Sequence, residues 1–331
     1  MSLDYSDEIT FLIKKTNELD KKEIDQINHL YNKVFKNYIN QDRSHEDFLK
    51  KFKSNKKQYS FHGLMKIKNK VIGSYPVIPN EFNYYGKELF FGLVVDTLID
   101  KKYRGDIDNL IKLNNIVYEK LKEENIPFVY GIANKSYYPI IKKLLNYKDI
   151  SFLNHYINPI KIKRKNLFIA IINLSLYFLG IFRNIFFFLQ TKKPIKKNIY
   201  QDNFKTDNNS FINFHNLKIV NLENLKYAYK IKSEIRFNEN LKILYIFDIN
   251  PMNIKTIFEA VKDVRKNHTK IDFLIFLKNG KEKSLNLFKF PKFLLKNKTI
   301  VSGKILNSSI IKNNIFDDEN WNFNLSNFDI K

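Results

Sequence analysis

The sequence predicts an α/β protein with a central mixed sheet in its first half and a smaller C-terminal α/β half, the two joined by a helical apolar connector. Three observations lead there. Between Glu8 and Ile157, apolar residues recur by turns with the period of a strand and the period of a helix. Within that stretch the apolar run LVVDTLI passes through DKKYRG into a helical pattern and then into a second buried strand, FVYGIA. A strand, helix and strand in that order pair in parallel when the two strands are neighbours. Finally, no charged residue occurs from Leu167 to Phe182.

The elements follow in order. Glu8 to Lys14 alternates as a short strand, and Asp20 is placed to cap a helix whose apolar face carries Ile24, Ile27, Leu30, Tyr31 and Val34. Ser44 followed by Asp47 opens a second helix running through Phe52. Phe61 to Ile67 and Val71 to Ile78 form a hairpin across Lys68-Asn69-Lys70, and Tyr85-Gly86 turns the chain into Leu89 to Ile99. Three antiparallel strands are expected from these segments. Leu110, Leu113, Val117 and Leu121 mark a helix from Asn109 to Glu124, and Pro127 lies beyond its end. The strand Phe128 to Ala133, a short helix from Ser136 to Leu145 and a closing strand from Ile150 to Ile157 complete the half. Beyond the connector, Asn198 to Ser210 reads as irregular, Leu241 to Phe247 and Ile271 to Leu277 as strands, and Asn253 to Lys266 as a helix. The segment Trp321 to Ile330 ends this smaller unit.

Composition narrows the function. Without cysteine, thiolate nucleophiles and cysteine metal sites are excluded. The formal charge of +23 points toward nucleic acid or an anionic surface, yet only six residues are arginine and lysine is spread through nearly every segment. Readers of phosphates and bases concentrate arginine where bidentate geometry matters, so a generally basic chain with an anionic small substrate is expected, and no nucleic-acid partner. The N-terminus MSLDYSDEIT has no basic region leading into an apolar one, which makes the cytoplasm the expected location.

The chemistry concentrates between Leu93 and Tyr147. First-turn amides of a helix have no acceptors within it and the helix dipole adds partial positive charge, so a helix entered from a tight basic loop suits a pyrophosphate. Arg104 adds a full charge and Gly105 permits close approach of the backbone. DTLIDKKYRG followed by YGIANKSYYPIIKKLLNYKDI resembles the GNAT superfamily of acyl-CoA N-acyltransferases, over about Ile9 to Ile157. The resemblance implies a sheet whose two parallel strands splay apart, with acetyl-CoA or another acyl-CoA between them and no metal. It implies that the backbone of Leu98 and Ile99 pairs with the pantetheine arm. Amides of Arg104, Gly105, Asp106, Ile107, Asp108 and Asn109 would hold the pyrophosphate, and Asn134, Tyr137 and Tyr138 would flank the thioester.

The chain departs from the superfamily's loop pattern, Arg/Gln-x-x-Gly-x-Gly/Ala, by placing Ile107 and Asn109 where small residues are expected. Asp106 and Asp108 would sit beside bound phosphates unless they turn outward as first-turn helix acids. Ile141 falls near the place of the tyrosine that often protonates the departing thiolate, leaving Tyr137 and Tyr138 as substitutes. Within the superfamily, the long chain and its ending ENWNFNL resemble two-part enzymes that N-acylate nucleotide-linked (for example dTDP-linked) amino sugars for surface polysaccharide such as the O-antigen of lipopolysaccharide. That resemblance implies residues 1–165 as the acyl-CoA half, 166–212 as connector and 213–331 as the substrate side of a cleft, with Arg236 in EIRFNENLKILY pairing a nucleotide phosphate. Other acceptors, namely a peptide, a polyamine or a lipid-linked sugar, and a non-catalytic CoA-binding module are the alternatives.

Each residue also has a plainer reading. Asp96 is a candidate general base or a carboxylate satisfied by backbone donors; His155 is a candidate proton acceptor or a hydrogen-bonded structural histidine. His62 reads as structural. Tyr137 and Tyr138 line the thioester or belong to an aromatic-rich core, and Arg236 can equally make a surface ion pair. Direct attack of a neutral amine on the thioester is expected to need positioning more than a strong base. By length and basic flanks the connector is a transmembrane candidate. A single span would strand the two halves on opposite faces of the bilayer, so a packed connector is expected, or a peripheral membrane contact through residues 167–189.

Overall fold

A computed structural model describes residues 8–36, 42–160, 170–171, 174–175, 178, 197–202, 204, 216–236, 239–280, 288–289 and 299–328. The chain forms two compact units. The first comprises Met1–Ile150, Asn208–Phe214 and Val301–Phe316, and the second Ser151–Asp207, His215–Ile300 and Asp317–Lys331.

In the first unit, β1 (Ile9–Lys15), β2 (Phe61–Ile67), β3 (Lys70–Tyr84) and β4 (Lys87–Val94) run antiparallel in turn. Beyond β4 the sheet continues with β6 (Phe128–Ile132), β15 (Ile300–Ile305) and β7 (Lys148–Phe152). Helices α1 (Lys21–Phe35) and α2 (His45–Phe52) both open on capping boxes, Asp20 with Glu23 and Ser44 with Asp47. Tyr85 and Gly86 have φ of 51° and 87°, the left-handed pair that matches a two-residue hairpin turn to strand twist. Helix α3 (Ile107–Glu123) presents Leu113, Val117 and Leu121, packed with Phe61, Met65 and Val129 in one core. The helix comes so close to β2 that a Cβ on Gly63 would collide with Val117.

One expectation is corrected here. Leu89 to Ile99 is not a single strand: β4 ends at Val94, and β5 is only Leu98–Ile99. Between them Asp96 has φ of 42°, a left-handed conformation that interrupts the pleat. Likewise the run expected from Ile150 to Ile157 breaks at Leu153 into β7 and β8 (Asn154–Pro159), which belong to different sheets.

The second unit holds the sheet β10 (Lys218–Leu222), β11 (Leu225–Arg236), β12 (Glu239–Asn250), β13 (Phe273–Lys278), β8 and β14 (Phe288–Lys289), in that order. Helix α5 (Ile254–Asn267), capped by Asn253, packs Ile257, Ala260, Val261 and Val264 into a core with Leu244, Ile246 and Leu274. The C-terminal β16 (Trp321–Asn322) pairs in parallel with β9 (Ile199–Tyr200). Asn324 Nδ2 and Ser326 Oγ donate to the buried carboxylate of Asp248, which fixes the chain end onto this unit.

Candidate functional site

The first unit's sheet contains a parting of strands. β4 and β6 are parallel, and their register is limited to Gly92 opposite Val129 and Leu93 opposite Tyr130. At the apex a Cβ on Gly131 would stand 2.9 Å from the carbonyl oxygen of Val94, so only glycine admits this approach. Past it, β5 turns its hydrogen bonds to β3, with Leu98 opposite Ser74 and Asp100 N donating to Ile72 O at 2.8 Å. Alternation along a strand then points the N–H and carbonyl of Ile99 the other way, toward the side on which β6 would have continued. Arg104 Nε donates to that Ile99 carbonyl at 2.7 Å.

The loop below carries Lys101, Lys102 and Arg104 on a short helical turn, and Asp100 at its start is paired to Lys33 at 2.8 Å. Asp106 is the N-cap of α3. Its Oδ1 accepts from the amides of Asp108 at 2.9 Å and Asn109 at 3.4 Å, and its Oδ2 accepts from Asn109 Nδ2 at 2.8 Å. Two of the amides assigned from sequence to a pyrophosphate are therefore held by the chain's own carboxylate. Ile107 is 50% exposed, which explains how a large residue is tolerated at a position expected to be small. Gly105 faces open space.

Across the parting, Asn134 Oδ1 accepts from the amides of Ser136 (3.1 Å) and Tyr137 (2.9 Å), a turn that starts α4 (Tyr138–Lys143). The side chain of Asn134 thus sets the direction of the helix. Tyr138 donates to Asp149 Oδ2 at 2.7 Å; burial and this carboxylate push its hydroxyl up to about 12. Tyr137 differs. Its hydroxyl is buried beside Thr97 and Asn114 without a well-formed hydrogen bond, and burial raises its pKa well above the ordinary tyrosine range. Thr97 sits in the break between β4 and β5, and Tyr137 at the start of the helix after β6, so the two strand ends meet again at these side chains. Behind them Asn114 Oδ1 accepts from Tyr118 at 3.0 Å, and the hydroxyls of Tyr118, Tyr75 and Tyr147 lie 3.1 to 3.2 Å apart.

The remaining expected site residues have partners of their own. Asp96 Oδ2 accepts from Arg43 Nη1 at 2.8 Å and Lys51 Nζ at 2.7 Å, so its carboxylate pins the strand break through two buried cations. His155 lies on β8 in the second unit, with Nε2 3.4 Å from Thr299 Oγ1. Arg236 ends β11, opposite Glu239 in register. Arg43, Lys51, Thr97 and Asn114 were not singled out from sequence. Only Thr97, next to Asp96 in the chain, carried a signal. Among the described residues no cluster of histidines and carboxylates is placed to hold a metal ion.

In backbone fold the chain is similar to a GCN5-related N-acetyltransferase from Kribbella flavida, which matches over 92% of this chain and 72% of its own with a TM-score of 0.60 at 9% identity. The fold is that of the GCN5-related N-acetyltransferases. A second such protein, from Anabaena variabilis ATCC 29413, matches over 89% of this chain and 73% of its own, with a TM-score of 0.51 at 13% identity. A conserved protein of unknown function from Enterococcus faecalis V583 matches over 90% and 73%, with a TM-score of 0.53 at 12% identity. Spans this wide take in both units of the GNAT-fold chain. No family profile matches the sequence, and no curated protein resembles it. The likeness is therefore one of backbone, and what the site does rests on its own residues.

Proposed function

We propose that this chain is an N-acyltransferase that takes its acyl group from a coenzyme A thioester and delivers it to an amine by direct attack. The observation that carries the reading is the parting of β4 from β6, with an outward-facing backbone edge at Ile99 above a basic loop. A pantetheine arm bears amides and pairs with such an edge as an added strand would. Arg104 supports the same assignment, because on exchanging the Ile99 carbonyl for a phosphate it would form a charge-assisted bond.

The thioester supplies an activated carbonyl carbon and a thiolate leaving group. In the transfer a C–N bond forms, the C–S bond breaks, the amine loses a proton to solvent and the sulfur gains one. Tyr137 is the chain's proton donor toward sulfur, because its buried hydroxyl has no well-formed hydrogen bond within the chain and lies at the break between the two strands. Tyr137→Phe is expected to lower kcat about tenfold while leaving KM for acyl-CoA and the melting temperature unchanged. A fall in melting temperature that matches the loss of rate would remove Tyr137 from this role.

For the acceptor, the narrower reading is the amine of a nucleotide-linked amino sugar, supported by the net charge of +23, which favours an anionic substrate. Product mass spectrometry tests this, with mixed acyl-CoAs offered alongside nucleotide-linked amino sugars, polyamines and peptide amines. An acyl adduct on the sugar amine is expected. Adducts only on another amine would replace the acceptor, and an absence of product despite CoA binding would leave a binding module. The hold of Asp106 on two first-turn amides favours that second reading. Asp106→Ala separates the two effects of this residue: the lost cap costs about 1 kcal/mol of stability, whereas CoA affinity is expected to rise several-fold. Unchanged CoA affinity, measured by calorimetry, would mean that these amides take no part in phosphate binding.

A further inference from the structure

The connector expected over residues 166–212, packed or in membrane contact, falls largely outside the described residues, among which no helix is long and apolar enough to cross a membrane. A different feature, wholly within the second unit, is left unused by acyl transfer. Beyond the C-terminal end of α5, strands β11 and β12 and the turn that follows the helix border a cavity of about 480 Å³. That volume is of the size that takes a small organic molecule. Its walls follow from strand alternation. Ser233 stands opposite Lys242 in register, two residues along from the pair Ile231 and Leu244, so all four project from the face on which α5 packs. Leu244 is buried in the core with the helix, whereas Ser233 and Lys242 are exposed and line the cavity. On the other side the chain leaves α5 at His268, whose amide donates to Val264 O at 2.8 Å, and turns back to Ile271, whose amide donates to His268 O at 3.0 Å. His268, Thr269 and Lys270 of this turn border the same space.

Charge selects the ligand. Among the described residues no carboxylate lines the cavity, and neither Lys242 nor Lys270 has an acidic partner for its ammonium group. The acids closest in sequence are engaged elsewhere. Asp272 accepts from the Lys242 amide at 2.7 Å, and Asp263 accepts from the Tyr227 hydroxyl at 2.6 Å and from Asn267 Nδ2 at 2.7 Å. Glu234 accepts from Tyr245 on the opposite face of the sheet. Arg265 and Lys266 in the last turn of α5 offset the partial negative charge of the helix end. Two unpaired ammonium groups beside the hydroxyls of Ser233 and Thr269 match a dianion whose oxygens accept from several directions, as those of a phosphate do. Ile231 and Ile271 supply apolar wall for an organic group attached to it. We propose that this cavity binds a small phosphate monoester, with Lys242 and Lys270 neutralising the phosphate and Ser233 and Thr269 donating to its oxygens. This inference does not depend on acyl transfer.

The test is titration of the full chain, at constant ionic strength, with inorganic phosphate, a sugar phosphate and a nucleoside monophosphate, followed by the ring resonances of His268 in NMR. The phosphate-bearing probes are expected to shift these resonances saturably, and the unphosphorylated sugar and nucleoside to leave them in place. The double variant K242A/K270A is expected to weaken binding about tenfold or more. Both side chains are exposed, so the variant is expected to keep the melting temperature of the parent. R104A, in the basic loop of the first unit, is expected to leave the response at His268 unchanged. The proposal is overturned if no phosphate-bearing probe moves His268, if K242A/K270A binds as the parent does, or if R104A removes the response.

Discussion

Asp96→Ala is expected to destabilise the first unit by about 3–5 kcal/mol, the cost of removing one partner from a buried ion pair. The side chains of Arg43, Lys51 and Asp96 are only 5%, 3% and 11% exposed, so water cannot replace the carboxylate. Arg43 is also held by Asn28 Oδ1 at 2.7 Å and stacks over the Tyr31 ring at 3.8 Å, so it is not free to swing outward. Alanine adds about 1–2 kcal/mol by occupying a left-handed backbone position. Asp96→Gly relieves that backbone cost and keeps the charge defect, while Asp96→Asn tolerates the backbone and retains an acceptor. Stability is therefore expected in the order Asp, Asn, Gly, Ala, read by urea denaturation of the full chain. If all three variants lay within about 1 kcal/mol of the parent, the ion cluster would not be what holds the strand break. Loss of turnover by Asp96→Asn with stability and CoA affinity intact would restore a general base to the mechanism.

Lowering the pH from 6.5 toward 3 is expected to cost the protein stability through His62. This ring is fully buried, stacked on Phe48 and edge-on to Phe52, with Nε2 3.0 Å from Thr16 Oγ1. Burial, aided by the nearby Arg43 charge, lowers its pKa from 6.5 to about 3. In that window the unfolded chain holds a proton that the folded chain refuses, so stability falls as pH falls, by about 1.4 kcal/mol per unit. Over the whole window the loss reaches about 5 kcal/mol. Above pH 6.5 the ring is neutral in both states and contributes no slope. His62→Gln keeps a polar partner for Thr16 and removes the titration, so its stability should vary less between pH 6.5 and 4.5. Glu23 is buried, yet hydrogen bonds from Lys14 and Lys66 hold it below its usual 4.5, so it adds to the loss only below about pH 4.5. Parallel stability curves for parent and variant would show that His62 takes up its proton in the folded state.

Much of the architecture was legible because its causes are local. Asp20 and Ser44 begin helices by accepting from amides three residues on, and Tyr85-Gly86 makes a hairpin by its own backbone preference. The spacing of Leu110, Leu113, Val117 and Leu121 foretold α3 and its buried face. His62 was readable as structural from its place in an alternating strand. By contrast, LVVDTLI reads as one unbroken strand, since apolar alternation carries no trace of the two cations that bend it. Strand β15 pairs with β6 from a distant part of the chain, which no local pattern announces. The hold of Asp106 on its own helix was open to either reading, because an acid at a helix start serves equally as cap or as neighbour of a bound phosphate.

Local patterning alone was thus enough for the helices of the first half, its β1 to β3 strands and the basic loop at the head of α3. Those features depend on residues a few positions apart, whose spacing is written directly in the chain. The tertiary structure decided that Asp96 pins a strand break and that Tyr137 meets Thr97 across the parting. Each of these depends on which distant side chains share one volume, and burial, charge pairing and exposure are properties of that volume.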